Sequence, residues 1–188
     1  MQTIPTNQTD QELYNKFLSG DKEAFNSIIK KYREPLIFFV RKYGINLESA
    51  EDIVHDSFIY VLVNKKEYDF KYTFKTYLYT VAKCRAFNYL KRNKRIVVLN
   101  EQYVSSTAIQ EVDIEQEIIE GEEKEQIHNA IRKLKREYQV VIYLKDFQKF
   151  QHKEIAKILN KTIPQTKMLL HRARKALDKK IREEGDIC

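Results

Sequence analysis

The sequence predicts an all-α protein of two small helical domains joined by an acidic linker. The 188 residues include only four Gly and three Pro, which argues against β-sandwiches, barrels and Gly-rich phosphate loops. Apolar residues recur three and four positions apart, the spacing of a helix that buries one face. The net charge is +6 over residues 1–100, −8 over 101–126 and +9 over 127–188, so two basic blocks flank an acidic connector. Basic blocks favour a polyanionic partner.

The first domain is predicted over residues 10–95. A first helix is expected over about 10–18, and the carboxylate of Asp21 is placed to cap a second helix. Pro35 favours the first turn of a further helix, which Gly44 would end.

The next helix is predicted from Ala50 to Val63, with Asn46 or Ser49 as its start. Its apolar residues fall on one stripe. A second face carries residues that are again three and four apart, namely Asp52, His55, Asp56 and Ile59. This mixed patch suits the docking of a partner helix, and it is equally typical of a solvent-facing side that includes one isoleucine.

An aromatic segment, residues 68–79, is followed by a basic one, residues 82–95, and a helix is predicted over 73–91. Aromatic rings stack on bases while Lys and Arg follow phosphates, so the combination favours single-stranded nucleic acid. Rings at helical spacing are also typical of a protein core, and the pattern leaves both interpretations open.

Residues 96–126 are predicted to be a solvated acidic linker, within which a helix could begin at 112–120.

The second domain is predicted over residues 127–182. Two amphipathic helices come first, then a short helix over 150–159, a turn at 160–162 and a basic helix over 163–181. This order describes a helix-turn-helix, with a plain helical hairpin as the alternative. The second helix would enter the major groove. The candidates for base contact are Gln165, Thr166, Lys167 and His171, and those for phosphate contact or packing are Arg172, Arg174 and Lys175.

The sequence shows no catalytic constellation. Its four His residues are scattered, and no pair of them lies at metal-ligand spacing with a carboxylate on a shared helical face. Cys84 and Cys188 form neither a metal motif nor a disulfide framework. We therefore expect no enzyme activity, no cofactor and no metal. With no membrane-spanning apolar run and no signal peptide, we expect a cytoplasmic protein.

The motifs resemble a known family. The segments AEDIVHDSF from Ala50, FKTYLYTVAK from Phe74 and YLKR from Tyr89 are similar to domain two of the extracytoplasmic-function (ECF) sigma factors. The segments EIA from Glu154 and HRARKAL from His171 are similar to domain four of the same family. The resemblance covers both predicted domains in the same order.

The resemblance implies a transcription-initiation subunit that binds core RNA polymerase, recognises promoter DNA and opens the minus-ten region. The face with Asp52 would bind the polymerase, and the basic helix of the second domain would read the minus-thirty-five element. The acidic linker would lie in a basic polymerase channel, and an anti-sigma factor is an expected partner. The residues implied at the minus-ten element are Tyr72, Phe74, Tyr77, Lys83, Cys84, Arg85, Asn88, Lys91 and Arg92.

Some residues depart from the family pattern. His55 stands where Gln is frequent, Tyr77 where Trp is frequent, and Cys84 where an Asn often helps to read an extruded base. Met168 and Leu169 replace a frequent Ser and Arg. The resemblance therefore leaves the preferred DNA sequence open.

Two other classes remain open. A stand-alone helix-turn-helix regulator would explain residues 127–182 but would leave the Asp52 face and the aromatic segment without a role. If the protein were a structural helical adaptor, both basic blocks would simply be solvated surface.

Overall fold

The structure is a computed structural model that describes residues 9–65, 67–100 and 122–185, with the side chains of 94–100, 122–125 and 184–185 outside the description. Within these ranges every regular element is a helix, which confirms the all-α prediction. The predicted helix start at 112–120 lies outside the described residues. The elements are α1 Asp10–Leu18, α2 Lys22–Arg41, α3 Leu47–Val63, α4 Phe74–Asn100, α5 Glu122–Arg132, α6 Arg136–Ile142, α7 His152–Leu159 and α8 Ile163–Gly185.

Short polar side chains begin the first three helices. Thr9 forms a reciprocal capping box with Glu12 at the start of α1. Asp21 accepts the backbone N–H groups of Glu23 and Ala24, so its predicted capping role is confirmed. Asn46 caps α3 by accepting the Ser49 N–H at 2.9 Å, and α3 therefore begins at Leu47 rather than at Ala50.

Pro35 does not start a new helix, contrary to the prediction. It lies inside the continuous helix α2. The buried side chains on either side of it, such as Tyr32, Leu36 and Val40, keep one helical register and face one core. Burial of this stripe outweighs the cost of an internal proline, which is about 3 kcal/mol.

Helix α4 is longer than predicted and ends at Asn100 instead of near Lys91. It therefore enters the segment that the sequence assigned to the linker. Its first turn is stabilised by the Thr73 hydroxyl, which accepts the Thr76 N–H at 3.3 Å.

The first module, residues 9–100, packs α1 to α4 around aromatic and aliphatic side chains. The rings of Tyr14 and Phe74 stack with centroids 4.4 Å apart, and Phe39 contacts Tyr79 at 5.0 Å. Leu78 is fully buried among them.

The second module, residues 122–185, contains the predicted helix-turn-helix. Helix α6 continues directly into a π-helical turn at Tyr143–Phe147. Asn160 ends α7 in the left-handed conformation with φ of 53°, which turns the chain sharply toward α8. Thr162 accepts the Gln165 N–H at 3.3 Å, which confirms the predicted cap of α8.

The two modules pack directly against each other, with α7 lying across α4. Phe150, just before α7, meets Tyr79 of α4 edge to face with ring centroids 5.0 Å apart. Both rings are buried, and the core cluster is continuous across the contact.

Candidate polymerase and promoter surfaces

The acidic face of α3 is a free surface of the first module. Asp52, His55 and Asp56 are exposed, and Ile59 is 44% exposed. Asp56 forms an ion pair with Arg85 of α4 at 3.8 Å. The helix spacing brings the four predicted residues together on one face, as the sequence indicated.

The acidic face continues into an apolar strip that sequence analysis missed. Leu62 is 46% exposed and Val63 is 71% exposed, and both lie one turn beyond Ile59. Leu62 belongs to the apolar stripe that the sequence predicts for this helix, and the spacing alone does not show that its side chain is exposed. A carboxylate patch next to exposed aliphatic side chains suits the docking of an amphipathic partner.

Arg85 is held beside the acidic face. Its guanidinium lies 5.0 Å from the centre of the Tyr60 ring, and the Tyr60 hydroxyl donates to Glu67 at 2.5 Å. The contact with Asp56 therefore gives Arg85 a role at the acidic face in addition to the DNA contact expected from sequence.

The aromatic segment contributes mainly to the core, which corrects one predicted contact. Phe74 is only 1% exposed and lies against Tyr14, so its ring cannot stack on a base in this packing. Tyr77 is half-buried, and its ring lies 5.4 Å from that of the buried Tyr68. Helical spacing turns Phe74 inward together with Leu78 and Ala82.

Two other predicted minus-ten residues lie close to the second module. The Lys157 ammonium lies 5.6 Å from the centre of the Tyr72 ring. Lys83 packs over Phe87 at 5.2 Å. Burial lowers the pKa of Lys83, and the nearby positive charge of Lys161 lowers it further.

The remaining minus-ten candidates face solvent. Cys84, Asn88, Lys91 and Arg92 are exposed on α4. They form a polar and basic strip next to the covered part of the same helix, and this strip is the accessible part of the predicted single-strand surface.

Most residues of the helix-turn-helix that are predicted to contact DNA are exposed. Lys167, His171 and Arg172 are exposed on α8. Gln165 is exposed too, but its side-chain oxygen accepts the Thr162 N–H at 2.9 Å, which leaves its amide nitrogen for a base.

Thr166 is the exception. It is fully buried, and its hydroxyl donates to the Thr162 carbonyl at 3.0 Å. The sequence placed Thr166 among the base contacts because it lies in the first turn of α8. One position in that turn must face α7, and Thr166 occupies it.

The exposed side of the helix-turn-helix carries several positive charges. Burial lowers the pKa of His152, and the positive charges of Lys145, Lys167 and Arg174 lower it further. Arg174 also pairs with Asp146 at 2.5 Å, which fixes its position on α8. Such a surface attracts the phosphates of duplex DNA.

Comparison with known proteins identifies the family of this chain. The family "Sigma-70 region 2" matches residues 28–96, and "Sigma-70, region 4" matches residues 124–177. An ECF RNA polymerase sigma-E factor of Haemophilus influenzae is 26% identical over 181 residues, which cover 92% of this chain and 95% of that protein. The chain belongs to the ECF sigma factors of the sigma-70 family.

Other relatives agree with this assignment. The ECF RNA polymerase sigma factor SigW of Bacillus subtilis is 28% identical to this sigma factor, with 87% of this chain and 92% of SigW covered. Two solved structures share its fold at 18% identity. CnrH in complex with the cytosolic domain of CnrY has a TM-score of 0.62, with 92% of this chain and 96% of that chain covered. RpoE of Bartonella quintana, with the anti-sigma factor NepR, has a TM-score of 0.64, with 84% and 96% covered.

The sigma factor has a basic cleft between its modules that sequence analysis missed. The cleft has a volume of about 520 Å³ and lies between α4 and the turn after α7. Lys153, Lys157 and Lys161 line one side, and Tyr72 and Lys83 line the other. The three lysines are four residues apart, so a helical reading of the sequence could have placed them on one face.

Across residues 9–65, 67–100 and 122–185, no group of three potential metal ligands comes together. In the same ranges, no helix has both the length and the apolar character needed to cross a bilayer.

Proposed function

We propose that this sigma factor carries out its function through three separate surfaces. The acidic face of α3 binds core RNA polymerase, the exposed strip of α4 binds the opened minus-ten element, and α8 binds the minus-thirty-five duplex. The proposal is supported by two modules that match sigma-70 regions 2 and 4 in order, each with an exposed surface suited to its task.

Polymerase attachment is assigned to Asp52, His55, Asp56 and Ile59, extended by Leu62 and Val63. Exposed carboxylates on one helical face attract basic residues of a partner, and the adjoining aliphatic groups supply apolar contact. This combination supports attachment to a helical element of the polymerase.

Minus-ten binding is assigned to the polar and basic side chains of α4 and to two partly buried tyrosines. Lysines and arginines follow the backbone of the displaced strand, and rings stack on extruded bases at about 1–3 kcal/mol per base. Phe74 is removed from this set because it is buried. The assigned residues are Tyr72, Tyr77, Lys83, Cys84, Arg85, Asn88, Lys91 and Arg92.

Minus-thirty-five binding is assigned to α8. Gln165, Lys167 and His171 are exposed near its N-terminal half, where a recognition helix meets base edges. Arg172 and Arg174 lie further along and are assigned to phosphates. Thr166 is removed from this set because its side chain is fully buried.

An anti-sigma factor is the proposed regulatory partner. The RpoE structure was solved with its anti-sigma factor, and this chain shares the RpoE fold. We place the protein in the cytoplasm, where core polymerase and promoter DNA are found. It performs no catalysis itself, because the polymerase makes the phosphodiester bonds.

The experiment that tests this function combines a pull-down with transcription. Purified chain is mixed with bacterial core RNA polymerase, and the complex is supplied with a pool of candidate promoters for run-off transcription. Stoichiometric binding and new start sites are expected. A folded, inhibitor-free chain that binds promoter duplex tightly but ignores the polymerase would instead be a stand-alone regulator.

A further inference from the structure

Helix α8 carries a large apolar side chain in the middle of its solvent-facing surface. Met168 is 51% exposed. Thr166, Leu170 and Ala173 are buried, so they mark the side of α8 that packs against the rest of the second module. At about 100° per residue, Met168 points about 160° away from both Thr166 and Leu170. It therefore lies near the centre of the outward face.

The residues around Met168 on this face are polar or basic, apart from one proline. Pro164 lies four residues before Met168 and Arg172 four residues after it, so both flank it on the same side of the helix. His171 and Lys175 lie on that side too, and all four are exposed. The outward face is thus an apolar centre, formed by Met168 and Pro164, within a rim of polar and cationic groups.

Met168 and Leu169, which both depart from the family pattern, have different surroundings. Leu169 is half-buried and packs against the hydrophobic core. Met168 is exposed, so it stands in place of a frequent Ser on the surface proposed to bind the minus-thirty-five duplex. A thioether offers a base edge no hydrogen-bond donor and only a weak acceptor, whereas a serine hydroxyl offers both. Met168 therefore cannot read a base in the way that a serine can.

Thymine is the base whose major-groove edge matches an apolar side chain. Every base displays hydrogen-bonding atoms there, but thymine alone also displays a methyl group, on C5. Met168 is in the second turn of α8, within the N-terminal half that a recognition helix inserts into the groove. Contact with a donor or acceptor would remove water from that group without replacing its hydrogen bond. Contact with a methyl group removes two apolar surfaces from water.

The rim and the apolar centre have complementary tasks. Arg172 and Lys175 can hold α8 against the phosphates, but phosphate contacts carry no direct sequence information. The Met168 side chain is unbranched and flexible, which lets it adjust to the position of a methyl group in the groove. The centre of the face can therefore add a sequence-specific contact to a helix that the rim positions.

Resting on the proposed function, we propose that Met168 is a specificity residue of the minus-thirty-five contact and selects a thymine through its C5-methyl group. The base pair that faces Met168 is an A·T pair, in either orientation. Pro164 extends the apolar surface by one turn toward the neighbouring pair. The minus-thirty-five sequence that this sigma factor prefers therefore contains a thymine that is recognised by its methyl group.

The test uses the complex of the full chain with core RNA polymerase. The complex selects duplexes from a pool of promoters in which only the minus-thirty-five region is random. Each thymine of the enriched sequence is then replaced, one at a time, by deoxyuridine, which lacks only the C5-methyl group. Competition binding compares each substituted promoter with its parent. At one position, loss of the methyl group should weaken binding about three- to fivefold.

Three variants assign the methyl contact to a side chain. Met168→Ser should bind the thymine and deoxyuridine promoters equally, whereas Met168→Leu, which stays apolar and similar in size, should still discriminate. Ile163→Ala is the matched control and should behave like wild type. Ile163 is also an exposed apolar residue of α8, but it points about 140° away from Met168 and lines the cleft beside α4. Both positions are exposed, so all three variants should fold, which thermal unfolding followed by circular dichroism checks.

The possible failures are distinguishable. An enriched sequence whose deoxyuridine forms all bind like the parent would overturn the methyl contact and leave the proposed function standing. Discrimination that survives Met168→Ser, or that is lost equally in Ile163→Ala, would overturn the role of Met168. A polymerase complex that enriches no minus-thirty-five sequence would overturn the minus-thirty-five assignment itself, and the role of Met168 with it.

Discussion

The two modules present their proposed DNA surfaces in different ways. In the helix-turn-helix, Lys167, His171 and Arg172 are already exposed, and duplex can approach α8 without rearrangement. In the first module, Phe74 is in the core and Tyr72 lies under Lys157. The surface proposed for duplex DNA is exposed, whereas the aromatic surface proposed for unpaired bases is partly covered by Lys157 of the second module.

The largest expected effect distinguishes an aromatic side chain that belongs to the core from one that is proposed to bind DNA. Phe74→Ala should lower the free energy of unfolding by about 3–5 kcal/mol, because it leaves a cavity beside Tyr14. Tyr72→Ala should change stability by less than about 1 kcal/mol but weaken binding of single-stranded minus-ten DNA by about 1–3 kcal/mol. Urea unfolding and fluorescence anisotropy measure the two effects. A stable Phe74→Ala protein with impaired strand binding would reverse the assignment.

The second prediction concerns the acidic face of α3, which lies on the first module. Asp52→Arg with Asp56→Arg should reduce the affinity for core polymerase at least about a hundredfold without unfolding the chain, because the charge of the face reverses. The lost ion pair between Asp56 and Arg85 is long and exposed, so little stability is lost with it.

A matched control carries the same change in charge elsewhere. Glu34→Arg with Glu137→Arg alters two exposed carboxylates outside the acidic face and should leave polymerase binding within about twofold. Retained co-purification of the Asp52 and Asp56 variant would remove the acidic face from the polymerase interface. An equal loss in both double variants would indicate a net-charge effect.

The sequence predicted the helices well and the burial of individual residues less well. Capping by Asp21 and Thr162 and the acidic face of α3 depended on local spacing, which a sequence displays directly. The continuity of α2 through Pro35 depended on a shared core, and the positions of Phe74 and Thr166 depended on which helix packs above each of them. These features depend on tertiary contacts, and the periodicity of a sequence does not show which helix a residue will pack against.

At the contact between the modules, the sequence likewise indicated only part of the role of Glu154. Its position three residues after Gln151 is the spacing of a capping box, and that local role is present. Its second set of partners, Thr73 and Thr76, is about eighty residues away and belongs to another module, so spacing could not indicate it.

The third prediction tests how the second module holds duplex DNA. Arg172→Ala should weaken binding to all promoter sequences by a similar factor and reduce the slope of log affinity against log salt by about one, because one phosphate contact is lost. Lys167→Ala is the comparison, since a base contact should alter preference at one position. If Arg172→Ala changes sequence preference instead, Arg172 reads a base.

The smallest expected effect is the pH dependence of the contact between Glu154 of α7 and the hydroxyls of Thr73 and Thr76. The pKa of folded Glu154 lies below its unfolded value of about 4.3 because of hydrogen bonds that outweigh burial. Its contribution to stability is therefore complete above the unfolded pKa and is lost as the pH falls through the folded pKa. Glu154→Gln should be less stable than wild type by about 1–2 kcal/mol at pH 7, and the difference should shrink toward pH 3.5. Urea unfolding across this range measures it, and Thr80→Val, which loses only a hydrogen bond within α4, should run parallel to wild type. A difference that stays constant with pH would mean that the Glu154 charge does not stabilise the contact between the two modules.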